Sequence, residues 1–488
     1  MGSRETMTEF LQQNDSQQSG QGISPVCRAR LDALLDADSF VQLDAHVKSR
    51  GIGSGFEREA IEGDGVVTGY GTVDGRLVYV AVQDPTVHGG SLGQVHAAKI
   101  SKAISFAASA RAPFVGVYDS GGSRIEEGIA ALEGLGDVIG ALHDASGEVP
   151  LIAAVVGPCA GGLAMAAAAS DFVLMSEDKG AIFMNGPMVI AATEGNSVDV
   201  AAIGGAGVHS VSTGLAAITA ADEQGVMDKL KVLLAYLPDS SEGFAFAADA
   251  YDDPNRTEAR LDEIAASLDD GYDMSEVLNL VVDTESFLPL AAAFAPEMIT
   301  GLGMLGGITV GIIANNGKRL DAKMNRKAER FVQFCERFNI PLISFVDAAG
   351  FAIGSAHEAG DLVDSAAALT RTFFDCTVPR ISVIVGDAYG TAYLALNSRS
   401  TGADLVYAWP TAEIAVTSSD TAAHILYRKD IAAAADPATA RKEFSSRYAR
   451  EVAAPSVAAS YGHVDEIIKP SATRPRLVSA LDMLIAAY

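Results

Sequence analysis

Two short stretches of this chain display backbone amides where few side chains stand in the way. "GPCAGG" runs from Gly157 to Gly162, and "GDAYGT" runs from Gly386 to Thr391. Each ends an apolar run, "PLIAAVV" in one case and "PRISVIV" in the other. A strand that ends in a glycine turn and opens a helix offers bare N–H groups, and an oxygen gaining negative charge is stabilised there. Losing one such donor typically costs ~3 kcal/mol of barrier, about a hundredfold or more in rate. The donors expected at the first turn are Gly161 and Gly162. Strict register puts Gly390 and Thr391 at the second, while one residue of slack makes the pair Thr391 and Ala392. A lone glycine turn often serves only close helix–strand packing. Two such turns, each paired with a glycine loop after an aspartate, suggest two oxyanion sites facing one reaction.

Those loops are "DSGGSR" (Asp119 to Arg124) and "DAAGFA" (Asp347 to Ala352), expected to form the walls. Ser120, Gly121, Gly122, Ser123, Cys159 and Ala160 are then the candidate substrate contacts of the first half. Gly350, Phe351, Tyr389 and Gly390 are those of the second. Little else reads as catalytic. There is no H-E-x-x-H and no Walker loop. His88 and His96 flank "GGSLG" without an obvious carboxylate orienter, which predicts solvated or capping roles. Glu126 and Glu127 open a helix, and the helix dipole accounts for them. His357 sits in the loop "GSAHEAG", a weak candidate for ligand contact. The cysteines Cys27, Cys159, Cys335 and Cys376 show no C-x-x-C spacing, so neither a metal site nor a redox motif is expected. The cysteine usage fits a reducing cytoplasm.

The elements that must hold these turns follow from periodicity. Leu151 to Ser170 carries no charge over twenty residues, long enough to cross a bilayer. Gly157 and Pro158 would break such a helix near its centre. A buried strand, a glycine turn and a buried Ala-rich helix are expected instead, as in a layered α/β domain. The chain then repeats itself. Pro113 precedes Asp119 by six residues and Pro341 precedes Asp347 by six. Pro150 precedes Gly157 by seven and Pro379 precedes Gly386 by seven. Lys99 and Lys327 each stand fourteen residues before the first proline of their half. Landmarks kept in register over two stretches predict two copies of one α/β fold. Turn formers between 238 and 275 place the join near Arg260, giving halves 25–260 and 261–488 after a Gln/Ser/Gly-rich arm, 1–24, read as disordered. A C-terminal helix is expected in "RPRLVSALDMLIAAY". A net charge of −27 excludes nucleic-acid binding by a basic face. An anionic ligand such as coenzyme A would need backbone amides or a few placed cations.

The duplicated, glycine-lined halves resemble the carboxyltransferase subunits of biotin-dependent acyl-CoA carboxylases and decarboxylases. These include the methylmalonyl-CoA decarboxylase α, transcarboxylase and propionyl-CoA carboxylase β branches. The resemblance runs from about residue 28 to 485, and its most specific stretches are "GDGVVTGYGTVDGRLVYV", "DPTVHGGSLGQVHAAKI", "DSGGSRIEEG", "GPCAGG" and "GADLVYAWPTAEIAV". It implies two tandem crotonase-like domains and a homo-oligomer, usually a hexamer, with sites between the N-terminal domain of one subunit and the C-terminal domain of another. It implies transfer of a carboxyl group between biotin and the α-carbon of a short-chain acyl-CoA. One hole would hold the thioester enolate and the other the biotin ureido oxygen. The absence of a side-chain base is then understood, because the cofactor carries the chemistry. No "AMKM" carrier motif is present, so biotin is expected on a separate carrier protein, with a biotin carboxylase or a membrane decarboxylase subunit as further candidate partners. Leu394 falls where the family sets acyl specificity, and leucine resembles the methylmalonyl-handling members.

The chain departs from the family pattern mainly in its second half. "AYGT" replaces "AYGG", placing Thr391 in the pair that aligns with the family's second hole, Thr391 and Ala392. A β-branched residue disfavours angles that glycine permits, so a reshaped second hole is expected. "AGF" replaces "PGF", an Arg-His pair has become Asp364-Ser365, and a lysine has become Ala368. The basic N-terminal stretch has shrunk to "ISPVCRAR", and "NNGKR" replaces a longer segment. Two other readings therefore stand beside the first. One is an acyl-CoA decarboxylase or specialised-pathway enzyme without biotin. The other is a non-catalytic partner of a more typical paralogue.

Overall fold

A computed structural model describes residues 23–50, 60–243, 252–316 and 319–486. The expected N-terminal arm thus lies outside the described residues up to residue 22, as does part of "NNGKR". The chain divides into two compact units, Met1–Val232 and Leu233–Tyr488, upstream of the join expected near Arg260.

In the first unit, helix α1 (Pro25–Leu34) precedes strands β1 (Val41–Leu43), β2 (Val66–Val73) and β3 (Arg76–Gln83). Helix α2 (Gln94–Ala110) leads to β4 (Phe114–Ser120), and α3 (Ile129–Ala145) leads to β5 (Leu151–Ala160). Helix α4 (Gly162–Ala168), β6 (Phe172–Ser176), β7 (Ala181–Phe183) and β8 (Ala216–Ala220) follow. The sheet order is β1-β2-β3-β4-β5-β6-β8, with β7 paired to β5. The first three strands are antiparallel and the rest are parallel. The stretch that could have spanned a bilayer is the central strand β5, a turn and α4, as its Gly-Pro interruption predicts. Helix α4 is not buried all round, however, since Met165 is half exposed. No described helix is long and apolar enough to cross a membrane.

The second unit repeats this order. Helix α5 (Met274–Val281) precedes β9 (Leu288–Leu290), β10 (Met298–Leu305) and β11 (Ile308–Asn315). Then come α6 (Ala322–Arg337), β12 (Leu342–Ala348), α7 (Leu362–Asp375), β13 (Arg380–Tyr389) and α8 (Gly390–Ala395). Strands β14 (Leu405–Ala408), β15 (Glu413–Ala415) and β16 (Glu466–Ile467) and the expected C-terminal helix, α9 (Thr473–Ile485), complete it. The sheet order, β9-β10-β11-β12-β13-β14-β16 with β15 on β13, is that of the first unit. Each sheet is covered by its own apolar core. Val115, Ala153 and Val155 of β4 and β5 are buried in one unit, and Phe345, Ile381 and Val383 of β12 and β13 in the other.

The repeat extends to side chains. Asp36 accepts the N–H groups of Asp74 and Gly75 at the β2–β3 turn, and Asp283 accepts those of Gly306 and Gly307 at the β10–β11 turn. Both landmark lysines are buried. Lys99 Nζ donates to the carbonyls of Gly63 and Val66, and Lys327 Nζ donates to Phe294 O at 2.8 Å. Burial pushes each down to about 8. In the unfolded chain both titrate near 10.5, so between about pH 8 and 10.5 the unfolded state binds more protons and their contribution makes stability rise with pH. Lys327→Met is expected to flatten that rise by up to one proton, about 1.4 kcal/mol per pH unit. Denaturant unfolding of both proteins at a series of pH values between 7.5 and 10 checks this; parallel curves would refute it.

Candidate active site

Each glycine turn is built by one residue in a conformation that favours glycine. Gly161 has φ 62° and Gly390 has φ 62°, each directly after a ten-residue strand. The backbone therefore selects the strict register: Gly161 matches Gly390, and Gly162 matches Thr391. Thr391 has no positive φ. The reshaping expected from a β-branched residue does not occur, because the demanding angle falls on Gly390, where glycine is kept.

The loops preceding the turns match as closely. Gly122 has φ 105° and Gly350 has φ 104°. A lone parallel bridge joins Leu92 to Ser123, and its counterpart joins Leu320 to Phe351. Gly122 lies against the first turn, since a Cβ there would sit 3.2 Å from Ala160 O. The two strand ends are fastened by the landmark aspartates. Gln83 Oε1 accepts the Asp119 N–H at 3.0 Å, and Asn315 Oδ1 accepts the Asp347 N–H at 3.0 Å. A Cβ at Gly157 would collide with the Asp119 carboxylate, and one at Gly386 with that of Asp347. The first glycine of each turn motif is thus there to admit a carboxylate.

The carboxylates are satisfied differently. Asp119 pairs with Arg30 at 2.7 Å, and Arg30 also reaches Glu223 at 2.7 Å. Asp387 replaces Pro158 in the second half and gives its N–H to Asp347 Oδ1 at 2.7 Å, while Tyr272 Oη donates to Oδ2 at 2.8 Å. Burial raises the Asp347 pKa against those two donors. The shrunken basic N-terminus therefore retains one arginine whose work is internal. Arg30 is 4% exposed.

The amides divide as follows. Gly161 N–H donates to Phe183 O at 2.9 Å, so half of the expected first pair is already consumed. Gly162 begins α4, and an N–H in the first turn of a helix has no intrahelical acceptor. At the second turn Gly390 is the counterpart of Gly161, with Tyr389 paired to Ala415 as Ala160 is to Phe183, while Thr391 lies in the first turn of α8, where an N–H has no intrahelical acceptor. Of the residues after Gly390, Thr391 is exposed and Ala392 is fully buried. Of the other candidates, Ser120 Oγ is buried and accepts the Gly122 N–H at 3.1 Å, and the Gly121 N–H goes to Gly89 O. Cys159 is fully buried and burial drives its thiol pKa up, so it packs the core behind the turn. Ala160 is 8% exposed at the strand end. Tyr389 is nearly buried and its hydroxyl donates to Glu413 Oε2 at 2.6 Å. Ser123, Gly350 and Phe351 are partly accessible, and Leu394 on α8 is 37% exposed.

A carboxyl transferase domain profile matches residues 19–487. The chain belongs to the carboxyl transferase family. Its relatives include methylmalonyl-CoA decarboxylase subunit alpha of Veillonella parvula, 41% identical over 94% of this chain and 89% of that protein. The methylmalonyl-CoA carboxyltransferase 12S subunit of Propionibacterium freudenreichii subsp. shermanii is 40% identical over 93% of this chain and 88% of that protein. The transcarboxylase 12S crystal structure, a hexamer with methylmalonyl-coenzyme A and methylmalonic acid bound, matches with TM-score 0.90 and 37% identity, covering 99% of this chain and 95% of that one. The tandem crotonase-like architecture that the resemblance implies is thereby confirmed for this carboxyl transferase chain.

Sequence reasoning missed three groups around these turns. His96 is neither solvated nor capping; it is fully buried. Glu127 is not a free helix-dipole partner, because it pairs with Arg124 at 2.7 Å. Tyr272 holds Asp347 from a segment that carried no motif. His357 stays in an exposed short helix, and Asp364 is exposed on α7 while Ser365 beside it is buried against Asn325. A cavity of about 600 Å³ in the second unit is lined by Tyr272, Asn316, Asp347, Gly386, Asp387 and Thr411. Its two carboxylates suit it poorly to polyanionic coenzyme A. No described group of His, Cys, Asp and Glu could hold a metal ion.

Proposed function

We propose that this chain moves a carboxyl group between biotin and the α-carbon of a short-chain acyl-CoA. The half 25–260 takes the thioester and the half 261–488 takes the biotin. The observation that carries this reading is the pair of matched turns, Gly161 and Gly390 each at φ 62°, with Gly162 and Thr391 in the first turn of the helix each turn opens. At the first turn Gly162 donates to the thioester oxygen as it becomes an enolate, with the Ser120–Ser123 wall alongside. At the second, Thr391 and Ala392 donate to the ureido oxygen of the cofactor. Biotin, borne on a separate carrier protein, supplies the carboxyl-bearing nitrogen. The chain supplies orientation and prealigned dipoles, and no buried side-chain base is required. Leu394, partly exposed on α8 directly after the second turn, is the residue that tunes the acyl group. The same reading assembles the chain as a homo-hexamer in the cytoplasm, served by a biotin carboxylase or a membrane decarboxylase subunit. Coenzyme A binding rests on backbone amides rather than the lost cations.

The test is carboxyl exchange between methylmalonyl-CoA or malonyl-CoA and free biotin, repeated with a biotinylated carrier. Biotin-dependent turnover, faster with the carrier, is expected. Loss of carbon dioxide at an equal rate without biotin would instead select the biotin-independent decarboxylase. Turnover appearing only in a stoichiometric complex with a paralogue would select the partner-subunit role.

A further inference from the structure

The two halves differ most at the far end of the glycine wall. In the first, Arg124 is 3% exposed and joins three segments. Its Nη1 donates to Asp64 Oδ1 and Glu127 Oε1, each at 2.7 Å, and its Nη2 donates to Ser91 O at 2.8 Å. Glu127 Oε2 accepts the Gln94 N–H at 2.7 Å and so caps α2, whose own N-cap residue is a glycine. Asp64 Oδ2 accepts the His96 N–H at 2.9 Å, and His96 Nδ1 lies 2.9 Å from Asp64 O. Burial pushes His96 down to about 3, so its ring is neutral, with the proton on Nδ1 and Nε2 accepting from Gln83 Nε2 at 3.2 Å. Gln83 in turn holds the Asp119 N–H. An unbroken polar path thus runs from Arg124, just after the wall, to Asp119, just before it. Ser120–Ser123 is pinned at both ends.

The second half lacks the rear anchor. The positions in register with Arg124 and Glu127 are Ala352 and Ser355. Asn315 fastens the front of that wall, but the rear is held by the Leu320–Phe351 backbone bridge and by Arg319 Nη1 on Phe351 O at 3.3 Å. The same backbone fold therefore stands without a buried arginine. Burying Asp64, Arg124 and Glu127 together carries a desolvation cost of several kcal/mol per ion, and such clusters are often no more stabilising than apolar packing. Stability alone does not account for keeping this one.

We infer that Arg124, held by Asp64 and Glu127, is the positioning residue of the thioester side. It fixes the Ser120–Ser123 wall against the Gly162 amide and does not itself touch substrate. The inference rests on the assignment of acyl-CoA to the first turn. The test uses full-length protein with Arg124→Lys, which keeps the charge and loses the planar fork. Glu127→Gln, which keeps shape and hydrogen bonding, is the second variant if the lysine protein folds poorly. Expected for Arg124→Lys is a fall in kcat of about tenfold to a hundredfold, since small misplacements at a reacting centre cost that much. The KM for the biotinylated carrier should stay within about twofold, because the second wall is untouched. Glu127→Gln should show the same split with a smaller fall in kcat. Unchanged kcat in both folded variants overturns the inference, and so does a rise of more than about twofold in the KM of the biotinylated carrier. If the unaltered protein shows no acyl-CoA turnover in the same assay, the functional reading itself falls and the inference with it; the two failures are thus told apart.

Discussion

Thr391→Pro is expected to lower kcat by about a hundredfold to a thousandfold while leaving acyl-CoA binding unchanged. The substitution deletes one N–H and little else. Thr391 is exposed and stands in the first turn of α8, where proline is tolerated because no intrahelical partner is lost. Its amide lies in the first turn of α8 and has no intrahelical acceptor, so removing it breaks no helical hydrogen bond. One donor to a developing oxyanion is worth ~3 kcal/mol or more of barrier. Thr391→Gly is the control. It restores the glycine that relatives carry, and it should leave the rate within about threefold, because Gly390 and not Thr391 holds the φ of 62°. Steady-state kinetics with acyl-CoA and biotin varied separately read both effects. A proline variant that folds and turns over at the full rate would remove the second turn from the chemistry.

Arg30→Met should destabilise the first unit by about 3–5 kcal/mol at neutral pH. The guanidinium is 4% exposed and binds Asp119, Glu223 and Gln83 O. Removing the cation leaves the Asp119 carboxylate, only 14% exposed and set against Gly157, with its counter-ion gone, and breaking a largely buried pair is damaging. Glu223 is one-third exposed and turns to water, so the loss is assigned mainly to Asp119. Arg30→Met with Asp119→Asn should recover a large part of the loss, since removing both charges also removes the desolvation cost. Equilibrium denaturation of the single and double variants gives the coupling directly. A single variant within about 0.5 kcal/mol of the parent would show that the carboxylate is satisfied by other means.

The two-fold repeat, the order strand–loop–helix–strand–turn–helix and the place of both glycine turns were legible in the sequence. Each rests on local chemistry: apolar runs of strand length, prolines at strand entrances, and glycine where the chain must adopt a positive φ. The family resemblance rested on the same stretches. Which amides remain open was not legible. Gly161 and Gly162 are adjacent and chemically identical, yet only the arrival of β7 decides that Phe183 O takes the first and leaves the second. The cost of Thr391 was misjudged for a similar reason, because one residue of register separates a strained position from an ordinary one and only the fold sets it. The role of Arg30, Arg124 and His96 likewise needed the tertiary structure. Long charged and polar side chains reach partners dozens of residues away, and nothing in their spacing says which carboxylate they will meet.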